Sequence, residues 1–163
     1  MAKEIEMLKT MFDMQKMLDE AIYKEHQCEF SYEKTRLALM DEIGEMIHEL
    51  KGNWCWWKKT QKPVDRAKVL EELVDCFHFG MSIDYHYYKF DKAYERLGLY
   101  IEGFKEMGKT MPLGVLVSNV MNEELCIARL IQITYNLGFT IKEVYDAYLI
   151  KNAVNFRRLQ EGY

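Results

Sequence analysis

The sequence predicts an all-α fold, a helical bundle of about six helices, and three observations carry that expectation. Apolar residues recur at i, i+3, i+4 and i+7 over long stretches, the spacing of one helix face. No run alternates convincingly at period two. With two prolines and nine glycines in 163 residues, the chain has few places to turn, so its helices must be long.

The elements follow in order. Ile5, Leu8, Met11, Phe12, Gln15, Leu18 and Ile22 share one stripe and predict a first helix from about residue 4 to about 24. Gln15 falls inside that stripe, and Asp19 lies one turn on. A second helix runs roughly from Glu33 to Lys51, with Leu37, Met40, Ile43, Ile47 and Leu50 as its apolar face and Gly52 as its stop signal. The aromatic connector Asn53-Trp54-Cys55-Trp56-Trp57-Lys58-Lys59 comes next. A third helix starts after Pro63, with Thr60 or Asp65 available near its start. It continues to about Tyr88 on a stripe of Val69, Leu70, Leu73, Val74, Phe77 and Met81. Asp91 stands where it can cap a fourth helix through about Met107, after which Gly108, Pro112 and Gly114 mark a loop. A fifth helix carries Leu116, Val120, Leu125, Ile127, Leu130, Ile131 and Ile133 and ends at Gly138. Thr140-Ile141-Lys142-Glu143 reads as a capping box that opens the last helix towards Leu159.

An apolar content of 49% with 29% charged residues fits one soluble domain, residues 1–163, long enough to bury a core. A net charge of −4 gives no electrostatic footprint for duplex nucleic acid, whereas single nucleotides stay open because metal ions can supply positive charge. No stretch approaches an uncharged membrane span and the N-terminus lacks a signal peptide's apolar core, so a cytoplasmic protein without a membrane partner is expected. Cys28, Cys55, Cys76 and Cys126 include no C-x-x-C pair and read as reduced thiols.

The chemistry resides in acids. Glu42 and Glu45 are three residues apart and are answered by Glu72 and Asp75 at the same spacing, an ExxE…ExxD pattern. Positions i and i+3 share a helix face, so two such helices packed together gather four carboxylates. Glutamate is a common helix former, and ExxE also arises by chance on solvated surfaces. Here both pairs flank apolar stripes, where a side chain can reach a cleft between helices. Four carboxylates repel one another unless a hard cation with oxygen preferences removes the penalty. The natural occupant is Mg²⁺, and its natural cargo is phosphate.

Glu42-Ile43-Gly44-Glu45, the connector ending Trp56-Trp57-Lys58, the run from Glu71 to Phe79 through Asp75, and the tail from Tyr148 to Arg158 together resemble the dimeric all-α dUTPases. That group belongs to the wider superfamily of MazG-like all-α NTP pyrophosphatases, and the resemblance covers nearly the whole chain. It implies that Glu42, Glu45, Glu72 and Asp75 bind Mg²⁺ and that Gln15 and Asp19 occupy the place where the base is read. It further implies Trp57 and Phe79 as aromatic walls, and Lys58, Lys151, Asn155 and Arg158 as phosphate contacts. The residue types suit these tasks, since an amide offers both donor and acceptor, lysine is a compact charge and arginine a fork for two oxygens. Plainer roles exist for several of them. Tryptophans pack between helices, a core phenylalanine looks the same in sequence, and basic residues in a last helical turn complement the helix dipole. His78 reads as a buried or supporting histidine, because Mg²⁺ prefers oxygen.

The activity so implied is hydrolysis of dUTP to dUMP and pyrophosphate, with Glu45 also accepting the proton of the attacking water. Such an enzyme keeps uracil out of DNA and supplies dUMP. A dCTP or mixed dCTP/dUTP pyrophosphatase, a broader MazG-like house-cleaning enzyme and an inactive helical interaction module stay open. The resemblance also implies a homodimer, with Met11, Met14, Met17, Tyr85, Tyr87, Tyr88 and Tyr100 as surface in need of cover.

Overall fold

The helical periodicity is realised as eight helices, with no strand among the described residues: α1 (Ala2–His26), α2 (Tyr32–Glu49), α3 (Lys51–Trp54), α4 (Arg66–His86), α5 (Ala93–Thr110), α6 (Leu113–Val120), α7 (Cys126–Asn136) and α8 (Ile141–Gln160). The computed structural model describes residues 2–87, 93–120 and 125–162, with side chains described except at 93–97, 99 and 100. The expected cap Asp91 and the expected helix end Tyr88 lie outside the described residues, as does the side chain of Tyr100.

Local chemistry explains most of the boundaries. Ser31 accepts from the Lys34 N–H at the start of α2, and Asp65 accepts from the N–H groups of Ala67 and Lys68 at the start of α4. Thr140 and Glu143 form the reciprocal capping box of α8. α7 is capped differently. Its N-cap residue Leu125 is extended and has no side chain to offer, so Asp84 of α4 accepts from the N–H groups of Cys126 and Ile127, each at 2.9 Å. Burial pushes the Asp84 carboxyl up to about 7 against the pull of those two N–H groups. At the other end of α7, Gly138 takes a φ of 73° that other residues rarely adopt. Arg66 donates to the Leu137 and Gly138 carbonyls at 3.3 and 2.9 Å and packs on the Phe139 ring at 3.9 Å, tying the start of α4 to that turn.

α4 is the central helix. It packs against α1, α2, α7 and α8, while α1 also packs on α5 and α8, and α5 and α6 cover α7. The core draws Leu8, Met11 and Phe12 from α1, Leu39, Ile43 and Met46 from α2, and Leu73, Phe77 and Met81 from α4. α5 crosses α7 closely at Gly108, where a Cβ would lie 2.4 Å from the Gln132 carbonyl oxygen. No described helix is long and apolar enough to cross a membrane.

The structure departs from the sequence expectation in five respects. Gly52 lies inside the short α3 and does not stop α2, which ends at Glu49 with Leu50 as its C-cap. The single fifth helix is two, α6 and α7. The expected loop at Gly108, Pro112 and Gly114 shrinks to Met111-Pro112, because α5 runs on to Thr110 and α6 starts at Leu113. On α2 the buried stripe is Leu39, Ile43, Met46 and Leu50, with Leu37 and Met40 exposed, and Met11 belongs to the core instead of an interface.

Asp84→Ala should lower the unfolding free energy by about 2–6 kcal/mol, since two buried N–H groups lose their acceptor at about 1–3 kcal/mol each. Urea denaturation followed by circular dichroism measures it, and a loss below about 1 kcal/mol would contradict the capping role.

Candidate active site

The acids meet where α2 packs on α4. Carboxylate oxygens of Glu42, Glu45 and Glu72 lie within 4.8 Å of one another. Asp75 lines the same cleft with its Oδ2 2.6 Å from the Nζ of Lys151 on α8, and that ammonium also stands 3.6 Å from Glu71. The electrostatics follow from crowding. Burial and then the charges of Asp75, Glu45 and Glu72 push Glu42 up to about 7. Burial, with Glu45 and Asp75 as the nearest charges, raises Glu72 as well. Asp75 is raised by burial even though Lys151 pulls it down. On Lys151, burial is outweighed by Asp75, so the ammonium holds its proton more tightly than usual.

The cleft encloses about 500 Å³ and has three walls. The acids of α2 and α4 form one. Lys151, Asn155 and Arg158, spaced by four and three along α8, form the second, so the same helix periodicity that aligns the acids aligns a polar and basic face opposite them. Phe79 and a hydrogen-bonded network between α1 and α4 form the third.

That network is buried. Gln15 Nε2 donates to Asp19 Oδ1 at 2.7 Å and to Ser82 Oγ at 3.1 Å, while its Oε1 accepts from the Tyr148 hydroxyl at 2.8 Å and faces His78 Nδ1 at 2.6 Å. Ser82 donates to Asp19 Oδ2 at 2.7 Å, and His86 Nε2 lies 3.1 Å from the same oxygen. Both hydrogens and both lone pairs of the Gln15 amide are thereby engaged. His78 stacks on Tyr148 with ring centroids 4.3 Å apart. Burial, reinforced by the charge of Lys151, lowers the His78 pKa to about 3, so the ring is neutral.

The cleft thus brings together Gln15, Asp19, Glu42, Glu45, Glu72, Asp75, Phe79, Lys151, Asn155 and Arg158. Trp57 and Lys58 are not among its lining residues. The chain leaves α3 over the surface, where Trp57 contacts Trp54 and Trp56 at ring separations of 5.6 and 5.8 Å and stays 57% exposed. Sequence reasoning missed Ser82, Tyr148, His86 and Glu71. Ser82 was within reach of it, being seven residues beyond Asp75 and so on the same helix face; His86 joins Asp19 only through the tertiary fold.

An all-α bundle with a cleft that gathers acids from two helices and lysine and arginine from a third defines a class, the helical hydrolases of nucleotides. A family model for dUTPase matches residues 7–163, and the chain belongs to this family, the all-α dUTPases. dUTP diphosphatase activity and a nucleotide substrate go with that membership, and family members are generally dependent on a divalent metal. No curated protein matches the chain significantly.

Because Glu42 holds its proton more tightly in the folded chain than at its usual value of 4.5, the stability of the metal-free protein falls as pH rises from about 4.5 through about 7. Glu42→Gln removes that dependence. In EDTA the variant should melt above the wild type at pH 8, with the gap closing towards pH 5; thermal melts at the two pH values check it, and a gap of the same size at both would contradict the crowding described here.

Proposed function

We propose that the chain acts as one cytosolic domain, a Mg²⁺-dependent enzyme that hydrolyses dUTP to dUMP and pyrophosphate. The observation that carries this reading is the meeting of Glu42, Glu45 and Glu72 within 4.8 Å, in a cleft that Lys151 and Arg158 also line. The donor set fits a hard divalent cation. It offers only carboxylate oxygens, and the burial and then mutual repulsion that raise Glu42 and Glu72 are what such a cation relieves. Glu42, Glu45, Glu72 and Asp75 are the residues proposed to hold it. When bound, Mg²⁺ would neutralise the triphosphate and acidify a water molecule.

The remaining work falls to side chains. Lys151 offers a compact charge, Asn155 an amide and Arg158 a fork for the phosphate oxygens. Glu45 takes the proton of the attacking water as the new phosphorus–oxygen bond forms and the anhydride bond to pyrophosphate breaks. Phe79 gives the base an apolar wall beside the Gln15–Asp19 network. Hydrolysis of dUTP in the cell keeps uracil out of DNA and supplies dUMP.

Glu45→Gln and Asp75→Asn should each lower kcat for dUTP on the order of a hundredfold or more with helical circular dichroism intact. EDTA should abolish turnover of the wild type. Pyrophosphate release assayed with and without Mg²⁺ measures both effects, and near-normal rates in the two variants would remove the carboxylate site from the mechanism.

The homodimer is part of the same proposal. Met17, Leu37, Met40 and Tyr87 expose apolar surface that a second copy would cover. Light scattering at micromolar concentration should give a mass near twice 19.5 kDa; a monodisperse monomer would refute it.

A further inference from the structure

A residue that lines the cleft carries a buried nitrogen with no hydrogen-bond partner among the described residues. It is Nε2 of His78, a residue only 4% exposed that lines the cleft next to Phe79. Its protonation can be deduced from its neighbours, starting at Asp19. Ser82 donates to Oδ2 of Asp19, whose side chain meets this network through its two oxygens as acceptors. The Gln15 atom 2.7 Å from Asp19 Oδ1 must therefore be the amide nitrogen, since a carbonyl there would set two acceptors against each other. That orientation turns the Gln15 carbonyl towards His78 Nδ1 at 2.6 Å. A carbonyl needs a hydrogen there, so Nδ1 carries it. The ring is neutral because burial and the nearby Lys151 charge depress its pKa to about 3. Nε2 is left as a bare lone pair. A buried acceptor without a partner is costly to the folded chain, and binding a donor removes that cost.

The pyrimidine edges differ at one atom in the relevant way. Between its two carbonyls uracil carries an N–H at N3, where cytosine carries a lone pair. Facing an acceptor, uracil gains a hydrogen bond and cytosine opposes one lone pair with another. Thymine shares the N3–H of uracil, so such an acceptor separates uracil from cytosine and leaves thymine to be excluded by shape.

We infer that Asp19, acting through Gln15, holds His78 as the tautomer whose Nε2 accepts the N3–H of uracil, which makes His78 the residue that separates dUTP from dCTP. The inference rests on the base lying against Phe79 and this network, as in the function proposed above. Gln15 is then a positioning residue, since all its hydrogen bonds are spent on its neighbours. Ser82, Tyr148 and His86 act in the same indirect way.

Histidine side-chain ¹⁵N NMR of the full chain tests the tautomer without turnover. The wild type should show His78 with hydrogen on Nδ1, and dUMP should shift the Nε2 resonance while dCMP leaves it in place. His78→Phe keeps a ring stacked on Tyr148 and deletes the acceptor. It should lower the ratio of kcat/KM for dUTP over dCTP about 10- to 100-fold and leave the ratio of dUTP over dTTP unchanged. Asp19→Asn frees the Gln15 amide to turn over, and should mix the two His78 tautomers and erode the same ratio. Hydrogen on Nε2 in the wild type, equal responses to dUMP and dCMP, or an unchanged dUTP/dCTP ratio in His78→Phe would each overturn the proposal. If His78→Phe fails to fold, the wild-type titrations and Asp19→Asn decide. A wild type that does not hydrolyse dUTP would instead sink the proposed function, and the dUMP titration would still decide the part of His78.

Discussion

Everything in this protein depends on how α4 carries polar groups through a packed interior. Four helices enclose it, and a polar side chain there is tolerable only with a partner. Three of the four neighbours supply partners. Lys151 of α8 answers Asp75, Gln15 of α1 answers His78, Asp19 of α1 answers Ser82, and the first N–H groups of α7 answer Asp84. Among the described residues two groups lack one: Glu72, whose company on α2 is of like charge, and the buried Nε2 of His78. Both residues line the cleft, so the pairing rule fails where a cation and a nucleotide are wanted.

The cleft also resolves an apparent conflict in the charge of the chain. A protein of net charge −4 repels a triphosphate at long range, and its acidic wall does so at short range. The opposite wall is drawn from α8, which lines the cleft with Lys151, Asn155 and Arg158 along one face. An anion can therefore enter on that side, while the acids serve the cation that accompanies it.

How much of this was legible in the sequence depends on how local each signal is. The all-α class, the Thr140–Glu143 box and the Asp65 cap are written within a few residues and emerged as expected, and Glu42 and Glu45 do meet Glu72. The break between α6 and α7 was not legible, because apolar residues keep helical spacing from Leu116 to Ile133 and the cap that α7 uses lies on another helix. Leu37 and Met40 fit a helical stripe by spacing alone, yet the core selects the neighbouring rows through Leu39 and Met46. The base-side network was the least legible part. Apart from the Gln15–Asp19 bond within α1, its bonds join residues 63 to 133 positions apart, so no window of sequence contains both partners.

The surface connector has a spectroscopic consequence. Trp54, Trp56 and Trp57 are the chain's three tryptophans, and all lie within four positions of one another at the end of α3, with Trp56 88% exposed. Indole emission therefore reports on this one strip and is nearly blind to the core, whose large aromatic side chains are phenylalanine and tyrosine. The segment that stands outside the cleft carries its own built-in fluorophore, and any rearrangement that carries it from water into a protein or nucleotide environment would register as a change in colour against an almost dark background.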